Sequence, residues 1–143
     1  MAGWSEVEAA APELAAEARR LLDAHTHKTL ATLRKDGSPR ISGTEAQFED
    51  GELWFGAMLH SVKALDLRRD PRFALHSGSD DPPSWTADAK VAGTVEEVET
   101  DGDSHRFRAD VTEVVVVHLG DPADHIVIES WHEGRGVERI ERR

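Results

Sequence analysis

The sequence has 143 residues, 38% of them hydrophobic, and a formal charge of −11; that length suits one domain, which buries roughly two thirds of the surface its unfolded chain exposes. It contains no cysteine and no tyrosine, so disulfides, thiolate nucleophiles, thiolate zinc sites and cysteine-held iron–sulfur clusters are excluded as chemistry of this chain. The acidic balance argues against nucleic acid as a partner, because phosphate contacts need a basic face, and any anionic ligand requires a local cationic pocket.

The first twenty residues are rich in Ala and Glu, with no basic segment ahead of an apolar core, and no apolar run approaches a membrane span. The expectation is a cytoplasmic protein with no membrane partner. Val7, Leu14, Ala18, Leu21 and Leu22 recur at helical spacing before His25. Ser5 and Glu8 have the spacing of a capping box, but a helix begun there would carry Pro12 inside it, where the ring clashes with an earlier carbonyl. The main helix is therefore placed over about residues 12–24, with Pro12 at its start.

From Thr29 the pattern changes to short β-rich runs, Thr29–Arg34, Arg40–Phe48 and Leu53–Met58, separated by Asp36-Gly37 and Asp50-Gly51. Two such turns predict a three-stranded meander. Ser61 can cap a short helix that Asp70-Pro71 ends. Arg72–His76 reads as a strand, Ser77–Ser84 as a polar loop and Trp85–Glu99 as a long strand closed by Asp101-Gly102-Asp103. A short helix is expected around Ser104–Arg108. Thr112–Leu119, with four consecutive valines at 114–117, reads as a buried strand, and His125–Trp131 as its partner across Gly120-Asp121-Pro122. Val137–Ile140 adds a short edge segment. With about six strands and few helices, the expected class is mainly β with flanking α, an antiparallel barrel whose closure removes exposed edges.

The run Leu30-Ala31-Thr32-Leu33 followed by Asp36-Gly37-Ser38-Pro39-Arg40 resembles the first hairpin of the pyridoxamine 5′-phosphate oxidase-like superfamily. Leu53-Trp54-Phe55 resembles that superfamily's third strand, Ser61-Val62-Lys63 through Asp70-Pro71-Arg72 its following helix, and Ala92-Gly93-Thr94-Val95-Glu96 a later strand. The order and spacing of these pieces over Leu30–Val98 carry the resemblance. Phe107–Val114 and Trp131–Gly136 are similar to the ends of small members. The resemblance implies a six-stranded split β-barrel that forms a homodimer, with two equivalent interface sites for FMN or for the deazaflavin coenzyme F420.

The phosphate of such a cofactor needs an anion site. Ser61 and Lys63 at a helix N-terminus offer a hydroxyl, a cation and backbone N–H groups. Val62 stands where the family often has an arginine, and Arg40 is the candidate to compensate. Ser42-Gly43-Thr44 and Phe55-Gly56-Ala57 are candidates for the ring's shelf, since glycine lets a ligand approach the backbone, and Trp131 for covering the ring from the partner subunit. Each has a plainer reading: Lys63 as a solvated helix lysine, Gly43 and Gly56 as bulges or barrel corners, Trp54 and Phe55 as core, and Trp131 as dimer packing.

No histidine pair has metal-ligand spacing on a helix, so the eight histidines read as surface or loop residues and no metal is expected. His60 and His132 are the candidate internal proton donors. The expected function is a flavin- or deazaflavin-dependent oxidoreductase passing a hydride between the cofactor and a small organic substrate. The alternative is a non-catalytic carrier of a flavin, a deazaflavin or haem. Authentic pyridoxamine phosphate oxidation is not expected, because His132 and Arg135 only loosely echo the family's substrate-clamping Arg-x-His. Arg68, Arg69 and Arg72 are candidates to line a channel for the deazaflavin's polyanionic tail.

Overall fold

The computed structural model describes residues 2–100, 102 and 104–143. Two helices, α1 (Trp4–Ala10) and α2 (Pro12–Asp23), precede the strands β1 (His27–Leu33), β2 (Pro39–Glu49) and β3 (Glu52–Met58). Helix α3 (Val62–Arg69) leads to β4 (Arg72–His76), β5 (Ala87–Val98), β6 (Ser104–Leu119), β7 (Ile126–His132) and β8 (Gly136–Arg142).

The sheet order is β3-β2-β1-β4-β5-β6-β7-β8, and β3 also pairs with β6, so the first six strands close into an antiparallel barrel. Strands β7 and β8 continue the sheet outward from β6 as a hairpin. Both Asp-Gly turns form as the sequence predicts. Asp50 and Gly51 each have positive φ, as the tight β2–β3 turn demands, and Gly37 does so at the β1–β2 turn.

The fully buried Phe55, Phe107, Leu30, Leu53, Leu75 and Val91 fill the barrel interior from inward-facing positions on five strands. On β1, β2 and β3 every second residue faces inward, which leaves Ile41, Gly43, Glu45, Gly56 and Met58 on the outer face. Helix α2 presents Leu14, Ala15, Ala18, Leu21 and Leu22 to the core. Pro12 does stand at its first turn, and Ala11 joins it to the separate helix α1. The Trp4 and Phe48 rings meet at 4.8 Å and seal that end of the core.

One expected element is absent. Residues 104–108 form no helix; they open the sixteen-residue strand β6, paired with β3 on one side and β5 on the other. His105, Phe107, Ala109 and Val111 alternate into the core, a period of two that a helix cannot satisfy. The preceding turn, Asp101-Gly102-Asp103, lies partly outside the described residues. At Thr112 the β5–β6 register shifts, so that Val114 and Val116 take over the buried face. A Cβ on Gly93 would collide there with the carbonyl of Asp110, so the bulge requires glycine.

A charged clamp holds the outer hairpin. The His125 side chain, 1% exposed, sets Nδ1 2.7 Å from Asp124 Oδ1 and Nε2 3.1 Å from Glu141 Oε1. Hydrogen bonds to Asp124 and Glu141 raise the His125 pKa above its ordinary value. A raised folded-state pKa gives stability that is complete below the unfolded value near ~6.5 and is lost as pH rises through the folded value. The melting-temperature difference between wild type and His125→Gln is expected to shrink as pH rises from ~6 to ~8.5. A difference independent of pH over that range would remove the clamp.

Candidate functional site

Two clefts open along the outer face where β2, β3 and the start of α3 meet. The first, about 430 Å³, is lined by Gly43, Thr44, Glu45, Gly56, Ala57 and Lys63, with His27, Gln47, Met58 and Ser104 completing its walls. The second, about 440 Å³, is lined by Arg34, Arg40, Ile41, Ser42, Met58, Ser61, Val62 and Lys63. They share Met58 and Lys63 and adjoin along one groove, whose first end is floored by glycine backbone with Glu45 on its wall and whose second end is cationic. Its volume is in the ordinary range for a cofactor-sized ligand.

The floor is smooth because two glycines place backbone at the surface. A side chain built on Gly43 would meet nothing within 4 Å and would extend into open space. On Gly56 a Cβ would lie 3.4 Å from the carbonyl of His105, an ordinary contact. Neither glycine has positive φ, so strand geometry does not require them. Behind the floor, Lys28, the cross-strand partner of Thr44, is buried with Nζ 3.1 Å from the Thr26 carbonyl, and burial lowers its pKa.

At the cationic end Ser61 caps α3, its Oγ accepting the Ala64 N–H at 3.3 Å. Lys63 donates from Nζ to the carbonyl of Gly43 at 2.9 Å, which pins the helix start against β2. Burial lowers its pKa from the usual lysine value. Ser42 Oγ is buried with no hydrogen-bond partner among the described residues, on the wall that Arg40 and Lys63 share.

Arg40 is held by a buried carboxylate. Its Nε donates to Asp66 Oδ2 at 2.8 Å, Thr32 Oγ1 donates to the same oxygen at 2.8 Å, and Arg69 Nη1 lies 3.5 Å from Oδ1. Burial works to raise the Asp66 pKa, but the hydrogen bonds from Arg40 and Thr32 and the charges of Arg40 and Arg69 outweigh it and hold the carboxyl low. Asp66 thereby fixes the Arg40 side chain at the wall, with its terminal nitrogens uncommitted to any described residue.

Of the residues singled out from the sequence, Arg40, Ser42, Gly43, Thr44, Gly56, Ala57, Ser61 and Lys63 line this groove. Two do not. The Phe55 side chain points into the barrel, edge-on to Phe73 at 5.3 Å, so only its backbone faces the groove side. Trp131 is 6% exposed, packed within the core of this chain, and lines neither cleft. His60 and His132 also line neither cleft. Arg68 is committed to Glu97 at 2.6 Å and Arg72 to Asp70 at 2.7 Å, which leaves only Arg69 of the expected arginine trio near the groove.

Met58, Arg34 and the pair His27–Glu45, 3.9 Å apart, are groove residues that sequence reasoning missed. Outward alternation from Trp54 through Gly56 would have found Met58. Nothing local in the sequence marks His27, because it is set opposite Glu45 only by the β1–β2 register.

Comparison with known proteins supplies the remaining findings. A sequence model described as pyridoxamine 5′-phosphate oxidase matches residues 14–136. Among solved structures, a pyridoxamine 5′-phosphate oxidase-related, FMN-binding protein from Nostoc punctiforme shares 14% identity over 100% of this chain and 98% of its own, with TM-score 0.64. A heme-binding protein from Mycobacterium smegmatis shares 15% over 87% and 86%, with TM-score 0.60. An F420 reductase shares 19% over 66% and 92%, with TM-score 0.54. At these identities the likeness is one of fold. No protein of curated function matches.

Proposed function

The chain belongs to the pyridoxamine 5′-phosphate oxidase family, and from that premise we propose that it is a homodimeric flavin- or deazaflavin-dependent oxidoreductase whose cofactor lies along the groove. The observation that carries this reading is the pair of adjoining clefts, one floored by glycine and one cationic, that meet at Lys63. Ser61, Lys63 and Arg40 would hold the cofactor's phosphate, and Ser42 Oγ offers it a buried hydroxyl without a partner among the described residues. Gly43 and Gly56 would let the flat ring lie on backbone. When bound, the cofactor supplies hydride transfer to or from a small organic substrate. His27, 3.9 Å from Glu45 on the ring-side wall, is an imidazole placed to exchange a proton with that substrate.

A second copy of the chain is the proposed cover of the groove. Met58 and Ile41, 80% and 74% exposed, stand on its rim beside exposed Val62 and Leu65, an apolar margin that water does not favour. Light scattering should give twice the 15.8 kDa chain mass; a monomer would remove the dimer from the proposal. No described helix is long and apolar enough to cross a membrane.

The test is titration with FMN and with the deazaflavin, followed by the cofactor's own fluorescence, because no tryptophan lines the groove. Gly43→Leu is expected to lower cofactor affinity at least ~10-fold while leaving the melting temperature within a few degrees, since its side chain meets only open groove. Unchanged affinity would place the ring elsewhere. The structural neighbour from Mycobacterium smegmatis that binds heme, together with a histidine on the groove wall, supports a carrier as the second reading. A Soret band on adding hemin, lost in His27→Ala, would favour it over the oxidoreductase.

A further inference from the structure

The outer face of the barrel continues past the groove onto β1, β4 and β5, and strand register sets two rows of residues side by side there. One row runs Ile41, Ala31, Ala74 and Ala92, and the other Gly43, Thr29, His76 and Lys90. The outward row of a half-buried sheet is ordinarily polar, and 31% of this chain is charged. The first row nonetheless carries no polar side chain, and Ile41 and Ala74 in it are exposed.

Small side chains make this face concave. A cleft of about 370 Å³ is lined by Thr29, Ala31, Ile41, Ala74, His76 and Lys90, with Leu75 completing it. It shares Ile41 with the cationic cleft, and its second row begins at Gly43 on the glycine floor. A second copy laid over Ile41 would roof the hollow, because the alanines leave the volume beneath to a small molecule. One end of the hollow is cationic. Lys90 is exposed and forms no ion pair with any described residue. Its neighbour His76 donates from Nδ1 to the Ser77 carbonyl at 2.6 Å and sets Nε2 3.8 Å from Asp88 Oδ1. Asp88 thus has His76 as its partner, and the Lys90 ammonium is left to the hollow.

We propose that this hollow is the substrate subsite of the groove and takes a small apolar carboxylate, its body on the alanine row and its charge on Lys90. The inference rests on the cofactor reading above for the role of substrate. Covering Ile41 and the alanines removes apolar surface from water, and the carboxylate supplies the counter-charge that no described residue gives Lys90. A single ammonium suits a single negative charge, since a dianion would bring its second charge toward Asp88.

Cinnamate, uncharged cinnamamide and acetate are the probes, titrated by calorimetry at low salt into the free protein and into protein saturated with whichever of FMN and the deazaflavin binds. Cinnamate should bind saturably, one per chain and ~10-fold or more tightly than cinnamamide, and acetate not detectably. Lys90→Gln, at an exposed position, should bring cinnamate down to the cinnamamide level and leave cinnamamide unaffected. Ala74→Leu, whose larger side chain enters the hollow, should weaken both ~10-fold or more while the melting temperature stays within a few degrees. Absent cinnamate binding, equal affinity for cinnamate and cinnamamide, or wild-type cinnamate affinity in either variant overturns the inference. Displacement of bound cofactor by cinnamate also overturns it, because a substrate subsite must fill beside the cofactor. If neither cofactor binds, the cofactor reading fails by itself, and the two variants in the free protein still decide whether the hollow is an apolar-carboxylate site.

Discussion

Phe55→Ala is expected to destabilise the fold by about 3–5 kcal/mol, the cost of removing a fully buried aromatic side chain from a packed core. Phe55 is 1% exposed and contacts the rings of Phe73 and Phe107 from the inside of β3. The deletion leaves a cavity beside the Phe73 and Phe107 rings that its neighbours fill only in part. In a chain of this length the melting temperature should fall on the order of 10–20 °C. Phe55→Leu, which keeps more of the volume, should cost less and allow cofactor affinity to be read on folded protein, where it should stay within a few-fold of wild type. A variant that melted normally but lost the cofactor would return Phe55 to the ring shelf.

Lys63→Ala should behave in the opposite way. It is expected to weaken cofactor binding roughly 10- to 150-fold, the value of about 1.5–3 kcal/mol for a hydrogen bond to a charged group. Stability should change little, because the side chain is half exposed and loses only its bond to the Gly43 carbonyl. Lys63→Arg should recover part of the affinity, since the charge returns with different geometry. Added salt should narrow the gap between wild type and alanine variant, as expected for a partly screened phosphate contact. Equal affinities at low salt would show that Arg40 and Ser61 hold the phosphate without it.

The paired tests separate two kinds of residue that the sequence places side by side. Phe55 and Gly56 are chain neighbours, yet one belongs to the core and the other to the groove floor, because successive strand residues face opposite ways. Alternation makes that much legible but leaves open which parity is inward. The choice is made when β3 pairs with β6 and sets Phe55 opposite Phe107. The same limit explains Trp131: an aromatic residue on a β-rich run suits a ring stack as well as a core, and only the packing of β7 against β6 encloses it.

Local chemistry by itself determined much of this protein. Turn dipeptides set the β1–β2–β3 meander, Ser61 and Asp70-Pro71 bounded α3, and Pro12 set the start of α2, because such signals act over a few residues and need no distant partner. The helix expected over residues 104–108 became strand for a non-local reason, the closing pair with β3 that completes the barrel. The groove is non-local in the same way. Lys63 approaches Gly43 across twenty residues, Arg40 is fixed by Asp66, and Glu45 faces His27 through strand register. Side-chain chemistry can be read from one segment, but which charges converge on one wall is decided only when tertiary packing brings separate segments within hydrogen-bonding distance.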